Sequence, residues 1–290
     1  MTTIELTARE RELRNLDQSN LDRASTAIRE EGFVVLEDVI DHAHLDILWD
    51  RMVVDLDEIL ARGVVPHQFV YGNVQQDPPP FASYVFEDVL ENRLVNQITR
   101  HLLGEGVYNK SYSGNTNVPN SELQPVHVDG GDLLAGLTEA QSAHKLVVNI
   151  PLKDVTEEDG SIELWPGTHQ LMSNVLGDDI KVDPDTVERR RKSHPPVRGN
   201  TKKGSLLIRD NRVWHRGMPN HSSSPRFMIA LIHCAAFIAP ISKVSFSADL
   251  SSFFDTVDAV TDYVLTDEPI PYLDKHNPYD YPTQGHITPI

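Results

Sequence analysis

The sequence predicts a mainly β protein with flanking helices, and three observations lead to this fold class. Patterns of helical period dominate the first hundred residues. Short β-type runs separated by turn residues follow from about residue 104. A chain of 290 residues, 39% of them hydrophobic, can bury one sizeable core. We therefore expect a single domain with a helix-rich part over 1–103, a β core over about 104–240 and a C-terminal tail over 241–290.

Two amphipathic helices and one strand are predicted near the start of the chain. Residues 18–31 begin with capping-type polar residues and continue with apolar residues at helical spacing, and Gly32 ends this helix. The apolar run over 33–36 predicts a buried strand. Residues 41–63 return to the helical period, with Gly63 as the stop signal.

A proline-rich segment over 64–84 comes next, and it carries four prolines and two adjacent glutamines. A loop of this length inside a compact domain tends to be a lid or a binding loop. Residues 87–103 predict one further helix, which ends at Gly104.

Short apolar runs bounded by turn residues predict the strands of the β core. They cover residues 146–150, 162–165, 205–208, 213–215 and 227–231. The basic stretch over 189–192 is predicted to be a solvated loop. Cys234 lies in an apolar run, which predicts a buried structural thiol.

Charge and hydropathy limit the partners of the protein. The formal net charge is −17, from 26 basic and 43 acidic residues, so phosphate groups would be repelled. We expect no nucleic-acid and no membrane partner. No apolar run approaches the roughly 20 residues of a spanning helix, and no segment has the pattern of a signal peptide. A single cysteine fits a reducing compartment. The expectation is a cytoplasmic protein, and a homodimer is the common arrangement for soluble enzymes of this size.

The most informative pattern is His127-Val128-Asp129, followed by His215 and then by Arg226. Two imidazoles and one carboxylate hold ferrous iron on one face and leave the opposite face open. Side chains at i and i+2 of a strand point to the same side, so His127 and Asp129 can reach one ion if their backbone is extended. Pro125, just before them, favours an extended backbone at Gln124.

The triplet His44-Leu45-Asp46 has the same spacing but a different context. It falls within a strongly helical pattern, where residues i and i+2 lie on different faces. We expect it to bind no metal, and spacing alone is therefore weak support for a site.

Downstream motifs accompany the first triplet in a characteristic order. They are the turn-strand-turn segment over 159–169, the segment over 204–217 that contains the distal histidine, and Pro225-Arg226-Phe227. With the segments over 30–36 and 124–129, this succession resembles the phytanoyl-CoA dioxygenase-like branch of the iron(II)- and 2-oxoglutarate-dependent dioxygenases. The resemblance extends from about residue 25 to residue 235.

This resemblance implies a double-stranded β-helix, also called a jelly roll or cupin-like barrel, with helices packed outside. It implies that His127, Asp129 and His215 bind Fe(II). It also implies that Arg226 binds the distal carboxylate of 2-oxoglutarate, through a bidentate, charge-assisted contact. Gln124 matches a glutamine that contacts the co-substrate in some relatives.

Asn149 lies where relatives place another co-substrate contact. Each of these two amide side chains also has an alternative role. Gln124 could instead satisfy backbone groups beside Pro125, and Asn149 could be a polar residue on a barrel face. Trp214 is expected in the core and His169 is expected to be structural.

The reaction implied by the resemblance consumes O2 and 2-oxoglutarate, releases succinate and CO2, and is of a class that ascorbate can stimulate. Halogenating relatives carry a small residue in place of Asp129, so a carboxylate there favours hydroxylation or desaturation. We expect a small metabolite, as in secondary-metabolite tailoring, held by the loop over 64–84 and an insertion over about 170–200. The alternatives are a cupin-like isomerase or epimerase and a catalytically inactive binding barrel.

Overall fold

The computed structural model describes residues 1–134, 141–171, 180–240 and 242–275. Within these ranges the chain forms a sheet-rich fold with flanking helices. The strands are β1 (Thr3–Glu5), β2 (Phe33–Glu37), β3 (Asn73–Gln75), β4 (Tyr108–Asn109), β5 (Ser113–Asn117), β6 (Lys145–Pro151), β7 (Glu163–Leu164), β8 (Val197–Arg198), β9 (Leu206–Asp210), β10 (His215–Arg216), β11 (Arg226–Cys234), β12 (Val244–Ser247) and β13 (Tyr263–Thr266). The helices are α1 (Ala8–Leu13), α2 (Gln18–Glu30), α3 (His42–Leu60), α4 (Glu87–Leu90), α5 (Arg93–Leu103), α6 (Pro184–Ser193) and α7 (Ser251–Phe254).

The described strands form one large sheet and two small ones. The large sheet has the order β1-β2-β9-β6-β11-β5-β3, with β4 also paired to β11. Its strands are antiparallel except for the parallel pair β1 and β2. A three-stranded sheet has the order β10-β7-β8, and β12 pairs with β13. Because β1, β2 and β3 come from the first 103 residues, the helix-rich part also supplies strands at both ends of the large sheet.

One face of the large sheet packs against helices. On β6, the apolar side chains of Leu146, Val148 and Ile150 belong to the same buried cluster as residues of α2, α3 and α5. The alternate residues Val147 and Asn149 line a cavity on the opposite face. This separation follows from the alternation of side chains along a strand.

The small sheet covers part of the cavity-side face of the large sheet. Phe33 and Val35 of β2 and Leu207 of β9 pack against Leu164 of β7 and against Val213. Packing of two inner faces leaves a shared interior, and the cavity described below lies on this side of the large sheet.

Two helices near the start of the chain agree with the predictions, and the turn after the first of them requires a glycine. The predicted helix over 18–31 is α2, and the predicted helix over 41–63 is α3, which ends three residues earlier. Gly32 between α2 and β2 has a φ of +93°, and a Cβ there would lie 2.4 Å from a methyl group of Val213. Only glycine fits this position without strain.

The predicted helix over 87–103 is divided into α4 and α5. The Asn92 side chain accepts hydrogen bonds from the backbone N–H groups of Leu94 and Val95, so it caps the start of α5. The cap replaces the intrahelical hydrogen bonds that a continuous helix would make.

The prediction of a solvated loop over 189–192 is wrong, because these residues form the last part of α6. Asp183 caps this helix by accepting a hydrogen bond from Thr186 N–H. Arg191 packs over the Trp165 ring at 4.8 Å and pairs with Glu163 at 3.4 Å. These contacts fix one face of the basic stretch against the small sheet.

Two further expectations can be compared with the described residues. Cys234 is fully buried, as predicted. Among the residues that the structure describes, no helix has both the length and the apolar character required to cross a bilayer. Part of the predicted insertion, residues 172–179, and the end of the tail, residues 276–290, lie outside the described residues.

Candidate metal centre

His127, Asp129 and His215 come together in the folded chain. One ligand atom from each residue lies within 4.8 Å of the others. His215 begins β10 of the small sheet, and the His127 segment runs antiparallel beside it. Both histidines are buried, whereas the Asp129 side chain is 31% exposed. The cluster is a buried pair of imidazoles with a carboxylate that reaches the solvent side.

Extended backbone positions the two ligands of the His-x-Asp triplet, as the sequence predicts. His127 and His215 exchange both backbone hydrogen bonds at 2.9 Å, and Asp129 N–H donates to the Asn211 carbonyl at 2.9 Å. The chain then turns at Gly130, where a Cβ would lie 2.6 Å from the Asn211 side chain. A side chain at this position would displace the Asn211 amide.

Both histidines present Nε2 as the free ring nitrogen. The Nδ1 atoms of His127 and His215 lie 2.9 Å from the carbonyl oxygens of Pro125 and Val213, respectively. Because a carbonyl only accepts, each Nδ1 carries the proton and each Nε2 keeps its lone pair. Burial, with a further effect of His215, lowers the pKa of His127 to about 3. A neutral imidazole is the form that binds metal.

The carboxylate of Asp129 lies between a histidine and an arginine. Its Oδ1 is 3.5 Å from His215 Nε2, and its Oδ2 accepts a hydrogen bond from Nη2 of Arg209. Desolvation raises the pKa of Asp129, but the positive charge of Arg209 and the close contact with His215 outweigh this effect and hold the pKa well below its usual range. Asp129 is therefore ionised and suited to a cation.

Arg226, the first residue of β11, is a buried cation with no partner among the described residues. The residue is 4% exposed, and no described residue forms a hydrogen bond or ion pair with the guanidinium. Burial lowers its pKa to about 10, against the opposing effect of Asp159. The group is charged at neutral pH. Because an unpaired buried charge is costly, this position calls for an anionic ligand.

A single cavity of about 300 Å³ connects these groups. It is lined by the three ligand residues, Arg226 and Arg209, and by many uncharged polar side chains. These are Gln68, Asn73, Gln75, Ser113, Asn115, Gln124 and Asn149. The proline-rich segment over 64–84 contributes three of them, two of which lie on β3, and a binding role for this segment stays a prediction.

Gln124 and Asn149 both line the cavity, and each uses its amide oxygen within the protein. Oε1 of Gln124 accepts a hydrogen bond from Gly217 N–H at 2.6 Å. Oδ1 of Asn149 accepts one from Nε of Arg209 at 3.0 Å. The amino groups of both amides have no protein partner among the described residues, so contact with a co-substrate stays a prediction for both.

The second His-x-Asp triplet lies elsewhere, as expected. His44 is on α3, where its Nδ1 is 2.8 Å from Asp88 and its ring stacks on Phe86 at 4.0 Å. Asp46 pairs instead with Lys203. The two side chains have separate partners and do not belong to the ligand cluster.

Trp214 and His169 have the structural roles that were predicted. Trp214 is 2% exposed and packs in a buried cluster with Trp165. Nε2 of His169 lies 3.1 Å from the Arg29 carbonyl, which ties the turn after β7 to the end of α2.

A family model described as phytanoyl-CoA dioxygenase matches residues 28–228. This range covers well over half of the chain and includes the three ligands and Arg226. The chain belongs to the phytanoyl-CoA dioxygenase family. Members of this family typically use Fe(II) and 2-oxoglutarate, and the His127, Asp129 and His215 cluster is compatible with that use.

Two solved structures show similarity of fold to this member of the phytanoyl-CoA dioxygenase family. AviO1 from Streptomyces viridochromogenes Tue57 is 19% identical with a TM-score of 0.56, and the match covers 78% of this chain and 99% of AviO1. EvdMO1 is 20% identical with a TM-score of 0.53, and the match covers 74% of this chain and half of EvdMO1.

Sequence reasoning missed two residues that contact the ligands. Arg209 lies at the end of an apolar strand, and a charged residue in such a run is the signal that could have identified it. Phe69 places its ring 4.7 Å from the His127 ring, and its φ of +66° is unusual for a bulky residue. Nothing in the loop sequence indicates that conformation.

Proposed function

We propose that this protein is an Fe(II)- and 2-oxoglutarate-dependent oxygenase that hydroxylates or desaturates an unactivated C–H bond of a small metabolite. We further propose that its large and small sheets are the two halves of a double-stranded β-helix. The packing of β2 and β9 against β7 supports this arrangement.

One observation carries the proposed function: a buried, unpartnered Arg226 lines the same cavity as the three metal-type ligands. A metal site alone would fit an isomerase or a binding barrel equally well. Neither of these explains a buried guanidinium without a counter-ion. A dicarboxylate co-substrate does, because one carboxylate can reach the metal while the other pairs with the guanidinium.

The residues have distinct tasks in this proposal. His127, Asp129 and His215 would hold the metal, and Arg226 would fix the orientation of the co-substrate through a bidentate contact. Fe(II) with 2-oxoglutarate supplies, when bound, an O2-derived oxidant for a C–H bond, with succinate and CO2 as by-products. The enclosing sheets exclude water from the reacting groups.

Asp129 supports hydroxylation or desaturation in preference to halogenation. Its carboxylate takes the place at which halogenating relatives have a small residue. Ionisation of Asp129, favoured by Arg209, keeps that place filled by an anionic protein ligand.

The cavity supports a small polar substrate. Its volume of about 300 Å³ lies at the lower end of the range for small-molecule sites. Neutral amide and hydroxyl groups line the cavity together with apolar side chains such as Ile162, Met228 and Ile232. We therefore propose a metabolite that carries both hydrogen-bonding groups and apolar carbon, as in secondary-metabolite tailoring.

The test is spectroscopic and chemical. Under anaerobic conditions, purified protein with Fe(II) and 2-oxoglutarate should develop a weak visible charge-transfer band. In air, the same mixture should release succinate slowly even before a substrate is known. The Asp129→Ala variant is the matched control and should do neither.

Absence of both the band and succinate in the wild-type protein would contradict the oxygenase proposal. Metal binding without either signal would favour the isomerase alternative, and loss of metal binding would favour the inactive barrel. Metabolite profiling of a host that expresses the protein would then identify the substrate.

A further inference from the structure

Arg209 connects the candidate metal ligand Asp129 to the large sheet. It lies on β9, on the cavity face, and its side chain is only 4% exposed. Nη2 donates to Oδ2 of Asp129, and Nε donates to Oδ1 of Asn149 at 3.0 Å. Nη1 has no partner among the described residues. The guanidinium is therefore committed to these two side chains.

Asp129 has few other restraints. The two residues after it are Gly130 and Gly131, and its side chain is the most exposed of the three ligands. Besides Arg209, the described side chain closest to the carboxylate is His215, at 3.5 Å from Oδ1, and the His127 imidazole lies within 4.8 Å. The two oxygens thus face different groups: Oδ1 faces the histidine, and Oδ2 faces the guanidinium.

We propose that Arg209, anchored by Asn149, is a positioning residue that holds Oδ2 of Asp129 and thereby presents Oδ1 to the metal. This inference rests on the proposed metal site. Partners that orient a ligand group raise metal affinity because the ligand loses less freedom on binding.

Charge and positioning make opposite predictions for Arg209. A guanidinium next to a metal ligand repels a divalent cation, so by charge alone its removal should strengthen metal binding. If Arg209 acts by positioning, its removal should weaken metal binding despite the lost repulsion. The sign of the change therefore identifies the role.

Asn149 takes a different role here from the one that family resemblance implies. Its Oδ1 accepts a hydrogen bond from Arg209. Asn149 lies two residue pairs along the sheet from Arg209, on the same face, because Val147 is opposite Arg209 and Asn149 is opposite Leu207. An effect of Asn149 on the metal should then pass through Arg209.

The experiment measures Mn²⁺ affinity by calorimetry without oxygen or co-substrate. Arg209→Met should bind Mn²⁺ roughly 10- to 100-fold more weakly than the wild type. Arg209→Lys keeps the positive charge but cannot donate to Asp129 and Asn149 in the planar geometry of a guanidinium. It should bind Mn²⁺ with intermediate affinity. The control Arg51→Met removes an arginine paired with Asp55 on α3, beyond the helix face of the sheet, and should leave the affinity unchanged.

Equal or tighter Mn²⁺ binding by Arg209→Met would overturn the proposal. If Arg209→Met does not fold, the Mn²⁺ affinity of Arg209→Lys is the test. Wild-type affinity in the lysine variant would contradict the proposal. A purely structural role would lower the melting temperature without changing the Mn²⁺ affinity of the folded protein, so both are measured.

A double-mutant cycle tests the anchor. Asn149→Ala should weaken Mn²⁺ binding in the wild-type background and have no further effect in the Arg209→Met background. Equal losses in both backgrounds would show that Asn149 acts independently of Arg209. Failure of the proposed metal site is recognised separately, because Asp129→Ala would then bind Mn²⁺ as well as the wild type.

Discussion

At the residue scale, the chain contains the spacing His-x-Asp twice, and within the described residues only one copy joins a cluster of potential metal ligands. His127 and Asp129 lie on extended backbone and face His215, whereas His44 lies on a helix and pairs with Asp88. The difference is the backbone conformation, because residues i and i+2 share a side on a strand and diverge on a helix.

Replacement of one residue in each copy tests this distinction. Asp129→Ala should weaken Mn²⁺ binding by at least roughly 100-fold and abolish iron-dependent turnover, since a ligand contributes more than the partners that orient it. His44→Ala is the control and should retain both. Calorimetry and succinate release are the measurements. Turnover that survives loss of the Asp129 carboxylate would remove this residue from the site.

The second prediction at this scale concerns Arg226. A bidentate contact with a carboxylate provides two charge-assisted hydrogen bonds worth about 3 kcal/mol or more in total. Arg226→Gln should therefore bind 2-oxoglutarate roughly 100-fold more weakly in the presence of Mn²⁺, as measured by calorimetry. Arg198→Gln, a change on β8 outside the cavity lining, should bind it normally. Unchanged affinity in the Arg226 variant would contradict the assignment.

At the element scale, alternation along β11 separates the site from the core. Arg226 and Met228 line the cavity, whereas Phe227 and Ile229 belong to the cluster that includes the helices. The same alternation buries His233 on the helix side, where its Nδ1 lies 3.0 Å from the Thr99 hydroxyl of α5.

His233 should make stability depend on pH. Burial, with a smaller effect of Arg100, lowers the pKa of His233 from its ordinary value of 6.5 to about 3. Between these two pKa values the His233 side chain is protonated in the unfolded chain and neutral in the folded chain. The stability of the fold therefore falls as pH decreases from about 6.5 towards 3.

The measurement is urea unfolding of metal-free protein at pH 7 and pH 5. Between these values the contribution of His233 to the free energy of unfolding should fall by about 2 kcal/mol. The His233→Gln variant should lose less stability than the wild type by about that amount. An identical loss in both proteins would show that His233 is protonated in the folded state.

Single elements also show where sequence patterns are sufficient. The apolar spacing in α2 and α3 predicts both helices to within three residues, because the pattern records which face is buried. The same reasoning fails at Asn92, where a side-chain cap divides a helix, and at α6, whose basic residues are held by Trp165 and Glu163. Local periodicity contains no information about these contacts.

At the scale of the whole molecule, the cavity charge differs from the net charge. The chain carries −17 overall, yet the charged residues that line the cavity are Arg209, Arg226 and Asp129. Anionic ligands are therefore favoured locally in a protein that repels them at long range. The net charge alone predicts that the protein disfavours anionic ligands.

Ligand binding should stabilise the whole fold. A ligand at 100 times its dissociation constant adds about 2.7 kcal/mol to the free energy of unfolding, provided that it does not bind the unfolded chain. Mn²⁺ with 2-oxoglutarate should thus raise the melting temperature, and chelation of the metal should reverse the increase. Asp129→Ala should show no metal-dependent increase. A full increase in this variant would mean that Mn²⁺ binds elsewhere.

The sequence by itself determined the fold class, the three candidate ligands and the order of motifs that marks the family. These features depend on local backbone preference and on residue type, and both can be inferred from the order of residues along the chain. Only the tertiary structure decided that Arg226 is buried with no partner in the described part of the chain and that Arg209 joins Asp129 to Asn149. These contacts bring together β6, β9, β11 and the segment at Asp129, and the pairing of strands distant in sequence is set by the packing of the whole chain.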